Sequence, residues 1–158
     1  MTKAERKIYR KKYYAEDALY TLIASDVRNT SWLTEIKEET AFVIMEGISM
    51  YLKQEELLQL LNGLCQGFSK VAVLMDCYTK FAAKASKYKN PINDVGVTQV
   101  YGLDDPSVLP GYLCRHEMTP SDLVDQLQGM ERKIFRTLYA GKTADKMYRL
   151  YEYEGGSR

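Results

Sequence analysis

The chain is 158 residues long, 46% apolar and 27% charged, the composition of a globular chain able to bury a core of its own rather than of a disordered segment. Its 22 Lys and Arg against 21 Asp and Glu leave a net charge of +1, which argues against nucleic acid as a partner, because affinity there rests on neutralising phosphates. No stretch approaches the roughly 18 apolar residues of a membrane span, so no membrane partner is expected.

The chain opens Met-Thr-Lys-Ala-Glu-Arg-Lys with no apolar signal segment behind it. Cys65, Cys77 and Cys114 show neither metal nor redox spacing. A reducing cytoplasm is the expected setting. With no repeat and no Gly/Ser linker, residues 1–158 read as a single domain.

Thr2 to Tyr14 mixes Ile8, Tyr9, Tyr13 and Tyr14 with six Lys or Arg, which predicts a helix with a solvated basic face. Residues 19–25 predict a strand that ends at Asp26, and Ser31 to Ile36 a short helical turn carrying Trp32. Ala41 to Met45 and Val71 to Met75 are short, unbroken apolar runs, the pattern of strands covered on both faces in a parallel sheet. Between them, Leu57, Leu61, Leu64 and Phe68 recur at helical spacing over Lys53 to Phe68. Strand, helix and strand at this distance form a βαβ unit.

A further helix is predicted over Thr79 to Tyr88. Asn90 to Pro110 holds three of the four prolines and reads as irregular, with one short strand near Thr98 to Tyr101. Strands are predicted over 111–117 and 146–153, the last antiparallel to the others. In Thr119-Pro120-Ser121-Asp122, a capping threonine, a first-position proline and a returning aspartate predict a helix start. That helix carries Leu123, Leu127, Met130, Ile134 and Leu138 on one face and ends near Gly141.

In open parallel sheets, ligands sit outside the C-terminal strand ends, and three predicted strands end in an acid: Asp26, Glu46 and Asp76. Such a row could accept bonds from ribose hydroxyls, an adenine amino group or an ammonium. Each acid could equally cap the helix that follows it. No Gly-x-Gly occurs, so neither a dinucleotide turn nor a phosphate loop is assigned, and no Gly-x-Ser-x-Gly elbow is present. One His and scattered Cys build no metal site, and His116 is the only imidazole.

Ser31-Trp32-Leu33 followed by Ala41-Phe-Val-Ile-Met-Glu-Gly-Ile-Ser-Met-Tyr-Leu52 resembles the leucine carboxyl methyltransferase family, in its bacterial branch of polyketide-synthesis-type O-methyltransferases. The matched signature is Glu46, Gly47, Met50, Tyr51 and Leu52, with Asp26 upstream. Tyr101-Gly-Leu-Asp-Asp-Pro106 resembles the branch's aromatic-Gly-x-Asp-Asp-Pro segment, and Tyr148 to Tyr153 resembles its last strand.

The resemblance implies an α/β fold: the C-terminal portion of a class I S-adenosylmethionine-dependent methyltransferase, Rossmann-like, mostly parallel with an antiparallel last strand. It implies S-adenosylmethionine as cofactor and a carboxylate or hydroxyl of a small molecule as acceptor. Asp26 and Val27 would lie beside the adenine, Glu46 and Gly47 would line the cofactor pocket, and Met50 and Tyr51 would face the acceptor. A carboxylate acceptor needs no base, and no catalytic residue is assigned; for a hydroxyl acceptor His116 is the only imidazole available.

A complete member of the family begins with a strand and glycine-rich turn that grip the cofactor's methionine part, and both precede the matching region here. The expectation is therefore an incomplete methyltransferase domain, weak or inactive alone, or a non-catalytic interaction protein derived from one. In the family's strand order, 3-2-1-4-5-7-6, the missing strands leave a gap that residues 19–25 could close by pairing with 41–46. The same gap predicts a homo-oligomer or a separate N-terminal half to cover exposed apolar surface.

Overall fold

The computed structural model describes residues 21, 23–86 and 99–157. The expectations for residues 2–14, and parts of those at 19–25, 79–88 and 98–101, lie outside them. Four strands form one sheet: β1 (Thr40–Met45), β2 (Lys70–Tyr78), β3 (Tyr112–Met118) and β4 (Tyr148–Gly155). Their spatial order is β1-β2-β4-β3. β1 and β2 are parallel, from Thr40↔Lys70 to Met45↔Met75. β4 runs antiparallel to both of its neighbours, β2 and β3. This mixed α/β sheet is compatible with a Rossmann-like fold.

The βαβ unit forms as its periodicity predicts. Helix α1 (Gln54–Gly67) buries Leu57, Leu60, Leu61 and Leu64, and the Glu56 carboxylate accepts the Lys53 backbone N–H at 2.8 Å to start it. The helix packs over Val71, Val73 and Met75, all fully buried, with Tyr151 and Tyr153 of β4 completing the core. Tyr112 meets Tyr153 edge-on at 6.3 Å, and its hydroxyl donates to the Leu61 carbonyl at 2.7 Å, tying β3 to α1.

Four expectations are corrected. Among the described residues, Thr21 and residues 23–25 form no strand, and the outer edge of β1 has no partner. Residues 99–101 form no strand either. β1 is not covered on both faces: Phe42 and Ile44 are 64% and 63% exposed, because α1 packs on one side of the sheet and nothing described covers the other at β1. The long helix over 121–140 is two helices, α3 (Pro120–Asp125) and α4 (Gly129–Tyr139). Gly129, at φ 61°, adopts a left-handed conformation that turns the chain between them. The capping logic at Thr119 holds: its hydroxyl accepts the Asp122 N–H and the Asp122 carboxylate accepts the Thr119 N–H. Helix α2 (Lys80–Ala85) follows β2 directly, capped by Thr79.

Candidate functional site

The C-terminal ends of β1 and β2 and the start of β4 meet at one edge of the sheet, since Tyr78 pairs with Tyr148. Asp76 lies at the centre of this edge and is 5% exposed. Its carboxylate accepts the Gly47 N–H, at 2.9 and 3.0 Å to its two oxygens, and the Tyr148 hydroxyl at 2.9 Å. Gly47 can aim its N–H there because it turns at φ 64°. The Ser49 hydroxyl reaches back to the Asp76 carbonyl and to the Cys77 sulfur. One buried carboxylate thus holds the loop after β1 against the first residue of β4.

The electrostatics follow from that burial. Desolvation, and then the bond to Asp76, push the Tyr148 phenol well above its ordinary range, and the charge of Glu46 adds to the effect. Burial raises the Cys77 thiol to about 11, with the Ser49 hydrogen bond opposing. Tyr78 is raised by burial first, and then by the neighbouring Tyr51 and Asp76.

The expected site residues divide. Glu46 stands exposed at the end of β1 and accepts no hydrogen bond among the described residues. Gly47 is anchored as above. Met50 is buried, and its carbonyl accepts the Tyr101 N–H at 2.8 Å. Tyr51 is 41% exposed.

Asp26 does not join this group. The Arg28 guanidinium holds it at 2.6 Å and also lies 3.7 Å from Glu56 at the start of α1. The Arg28 side chain and then its backbone N–H keep the Asp26 carboxyl down at about 2. Val27 is half-buried against the core. His116 bonds Glu152 at 2.7 Å on the β3–β4 ladder and shares no bond with Asp76 or Tyr148. Among the described residues, no group of three His, Cys, Asp or Glu could hold a metal ion, and no helix is long and apolar enough to cross a membrane.

The segment Tyr101 to Pro106 clamps the end of β2. The Leu103 N–H donates to the Tyr78 carbonyl at 2.7 Å, and Asp104 accepts the Lys80 N–H at 2.8 Å. Asp105 caps the turn at Pro106–Val108 through the Ser107 N–H at 2.9 Å. Gly102 is required because a Cβ there would fall 2.3 Å from the Thr79 carbonyl oxygen. Beside the clamp lies a cavity of about 270 Å³, bounded by Ser49, Leu57, Cys77, Tyr78, Lys80 and Tyr101. It is concave and mostly apolar with a few polar groups at its wall, the usual character of a small-molecule pocket. Tyr51 does not line it.

Asp76 figures in the sequence as a strand-end acid, but its two partners lie 29 and 72 residues away. No local pattern marks Tyr148 as one of them.

No protein-family model matches the chain. A stretch of 101 residues, 63% of the chain, is 25% identical to the tetracenomycin polyketide synthesis O-methyltransferase TcmP of Streptomyces glaucescens. It spans 37% of that enzyme's length. At this identity the likeness supports a distant methyltransferase relationship.

Proposed function

We propose that the chain is the acceptor-side portion of an S-adenosylmethionine-dependent O-methyltransferase of the leucine carboxyl methyltransferase type, acting on a carboxylate or hydroxyl of a small molecule. The observation that carries this reading is the Asp76 hub. It fixes Glu46 and Gly47 at the C-terminal sheet edge, where open α/β sheets bind ligands. The order β1-β2-β4-β3 supports it, since it corresponds to the fourth, fifth, seventh and sixth strands of the class I order. The distant likeness to an O-methyltransferase supports it as well.

The residues present fit the cofactor in part. Glu46 is exposed and unengaged among the described residues, as an acceptor for ribose or adenine donors requires. Asp26 is held by Arg28 and would have to release it. Nothing in this sequence supplies a Gly-x-Gly turn for the methionine end. Bound S-adenosylmethionine would bring a methyl group on a sulfonium, already a good leaving group. The work left to this chain is to seat the acceptor and exclude water, and the cavity beside Tyr78 and Tyr101 supports that reading.

The missing grip would come from an N-terminal half, supplied upstream or as a separate chain. In the class I order the first strand neighbours the fourth, and β1 offers an edge with no partner among the described residues, beside the exposed Phe42 and Ile44. Calorimetry with S-adenosylmethionine tests the reading. The chain alone should give little heat at micromolar ligand, and adding an N-terminal methyltransferase half should restore binding and methyl transfer. In that complex Glu46→Ala should weaken binding by ~1–3 kcal/mol, the scale of a lost hydrogen bond to a charged group. Phe42→Glu should prevent the complex while leaving the isolated chain folded. Tight binding by the chain alone would overturn the need for a second half. A complex without cofactor binding would favour a non-catalytic interaction protein.

A further inference from the structure

Helix α4 (Gly129–Tyr139) buries none of its residues. Met130, Ile134 and Leu138 form one row at spacing four, 77%, 50% and 66% exposed, and Phe135 and Tyr139 form the adjacent row at 44% and 59%. The two rings lie 5.5 Å apart along the helix. The sequence predicts Met130, Ile134 and Leu138 on one face with Leu123 and Leu127; the turn at Gly129 separates the two halves and leaves the second in solvent. A helix with so continuous an apolar face is unstable in water unless something covers it.

We propose that α4 is the surface through which two copies of this chain associate, by antiparallel packing of the two helices about a two-fold axis near Ile134. At ordinary side-chain areas the five residues leave roughly 500 Å² of contiguous apolar surface, near the top of the range for a monomer's largest patch. Two such stripes bury about 1,000 Å², the lower bound for a specific interface, and the polar flanks add the rim.

The stripe is also self-complementary. With Ile134 on the axis, Met130 faces the partner's Leu138. Tyr139 falls on the partner's Gly129, where nothing lies within 4 Å of a Cβ position. Self-complementarity, rather than charge, favours a second copy over an anionic lipid surface. Of the three cations on α4, Arg132 and Arg136 are both held by Asp125 of α3, at 2.8 and 3.4 Å, while Lys133 stands exposed beside the stripe.

Sedimentation and light scattering at ~10 μM test the proposal. The chain should be a dimer. Ile134→Glu, which sets two carboxylates against each other on the axis, should raise the dissociation constant at least 100-fold. Phe42→Glu, on the sheet face, should leave the dimer intact. Circular dichroism should lose no more than the signal of α4 itself, because α4 contributes nothing to the core. Should Ile134→Glu fail to fold, Ile134→Cys decides instead: it should form a covalent dimer under mild oxidant where the unsubstituted chain and Phe42→Cys do not. A monomer at this concentration would overturn the proposal. So would a dimer indifferent to Ile134→Glu, an Ile134→Cys variant that does not cross-link, or a monomer that sediments with phosphatidylserine vesicles through α4.

Discussion

Replacing Tyr148 by Phe removes one oxygen and leaves the ring in place. That oxygen donates to a carboxylate that is 5% exposed, at 2.9 Å. A hydrogen bond to a charged group contributes about 1.5–3 kcal/mol. Tyr148 itself is only half-buried, which sets the expectation at the low end, about 1.5 kcal/mol. For a chain of this length that lowers the melting temperature by ~3–6 °C. In urea the midpoint should fall by ~0.5–1.5 M with an unchanged slope. Tyr51→Phe is the control: its side chain is 41% exposed, and the loss should stay within about 0.5 kcal/mol. Combining Tyr148→Phe with Asp76→Asn in a double-mutant cycle should show a coupling of ~1 kcal/mol or more. If Tyr148→Phe costs no more than Tyr51→Phe, Asp76 is not the hub that joins the β1 loop to β4, and the placement of Glu46 loses its physical basis.

Gly102→Ala should destabilise the chain by more than about 3 kcal/mol or prevent folding, because its Cβ meets backbone 2.3 Å away; a variant with a near-native melt would mean that the clamp on β2 is mobile. Stability should fall as the pH rises above about 10. Burial raises the folded-state values of Tyr112, Tyr148, Tyr151 and Tyr153. The stability they contribute is therefore present below the unfolded value and is lost as the pH climbs through the folded ones. In a native-state titration followed at 295 nm, at least these four of the 13 tyrosines should stay protonated until the chain unfolds, and a single smooth titration near pH 10 would refute their burial.

Much of the fold was legible where pattern and environment coincide. Ala41 to Met45 and Val71 to Met75 have no helical period, and both are strands. Leu57, Leu61 and Leu64 have one, and they lie on a helix face. The Thr119 to Asp122 start is a local hydrogen-bond circuit, complete within four residues. Three failures have a common cause in tertiary context. An apolar run does not state how many of its faces are covered, so Phe42 and Ile44 read as buried. The row from Leu123 to Leu138 keeps its period across Gly129, but one left-handed residue rotates the second half away. Tyr20 to Ser25 has strand composition, yet its described residues hold no partner. At the candidate site, Asp76 was legible as a strand-end acid, and its pairing with Tyr148 was not, because it joins residues 72 apart.

The two edges of the sheet differ in chemistry. β3 is irregular between Cys114 and His116, and Arg115 and His116 are tied to Glu154 and Glu152 of β4; a kinked, charged edge resists pairing with another chain. β1 is straight in register and carries Thr-Ala-Phe-Val-Ile-Met with no charge, proline or bulge, the composition of a segment that templates cross-β stacking. Its only guards among the described residues are the acids that bracket it, Glu38 and Glu39 before and Glu46 after. They act as gatekeepers whose mutual repulsion keeps one copy's edge from another's. Whatever Glu46 does for a ligand, it also keeps this edge apart, and replacing the three acids together by glutamine should drive the chain toward fibrils that grow from β1 alone.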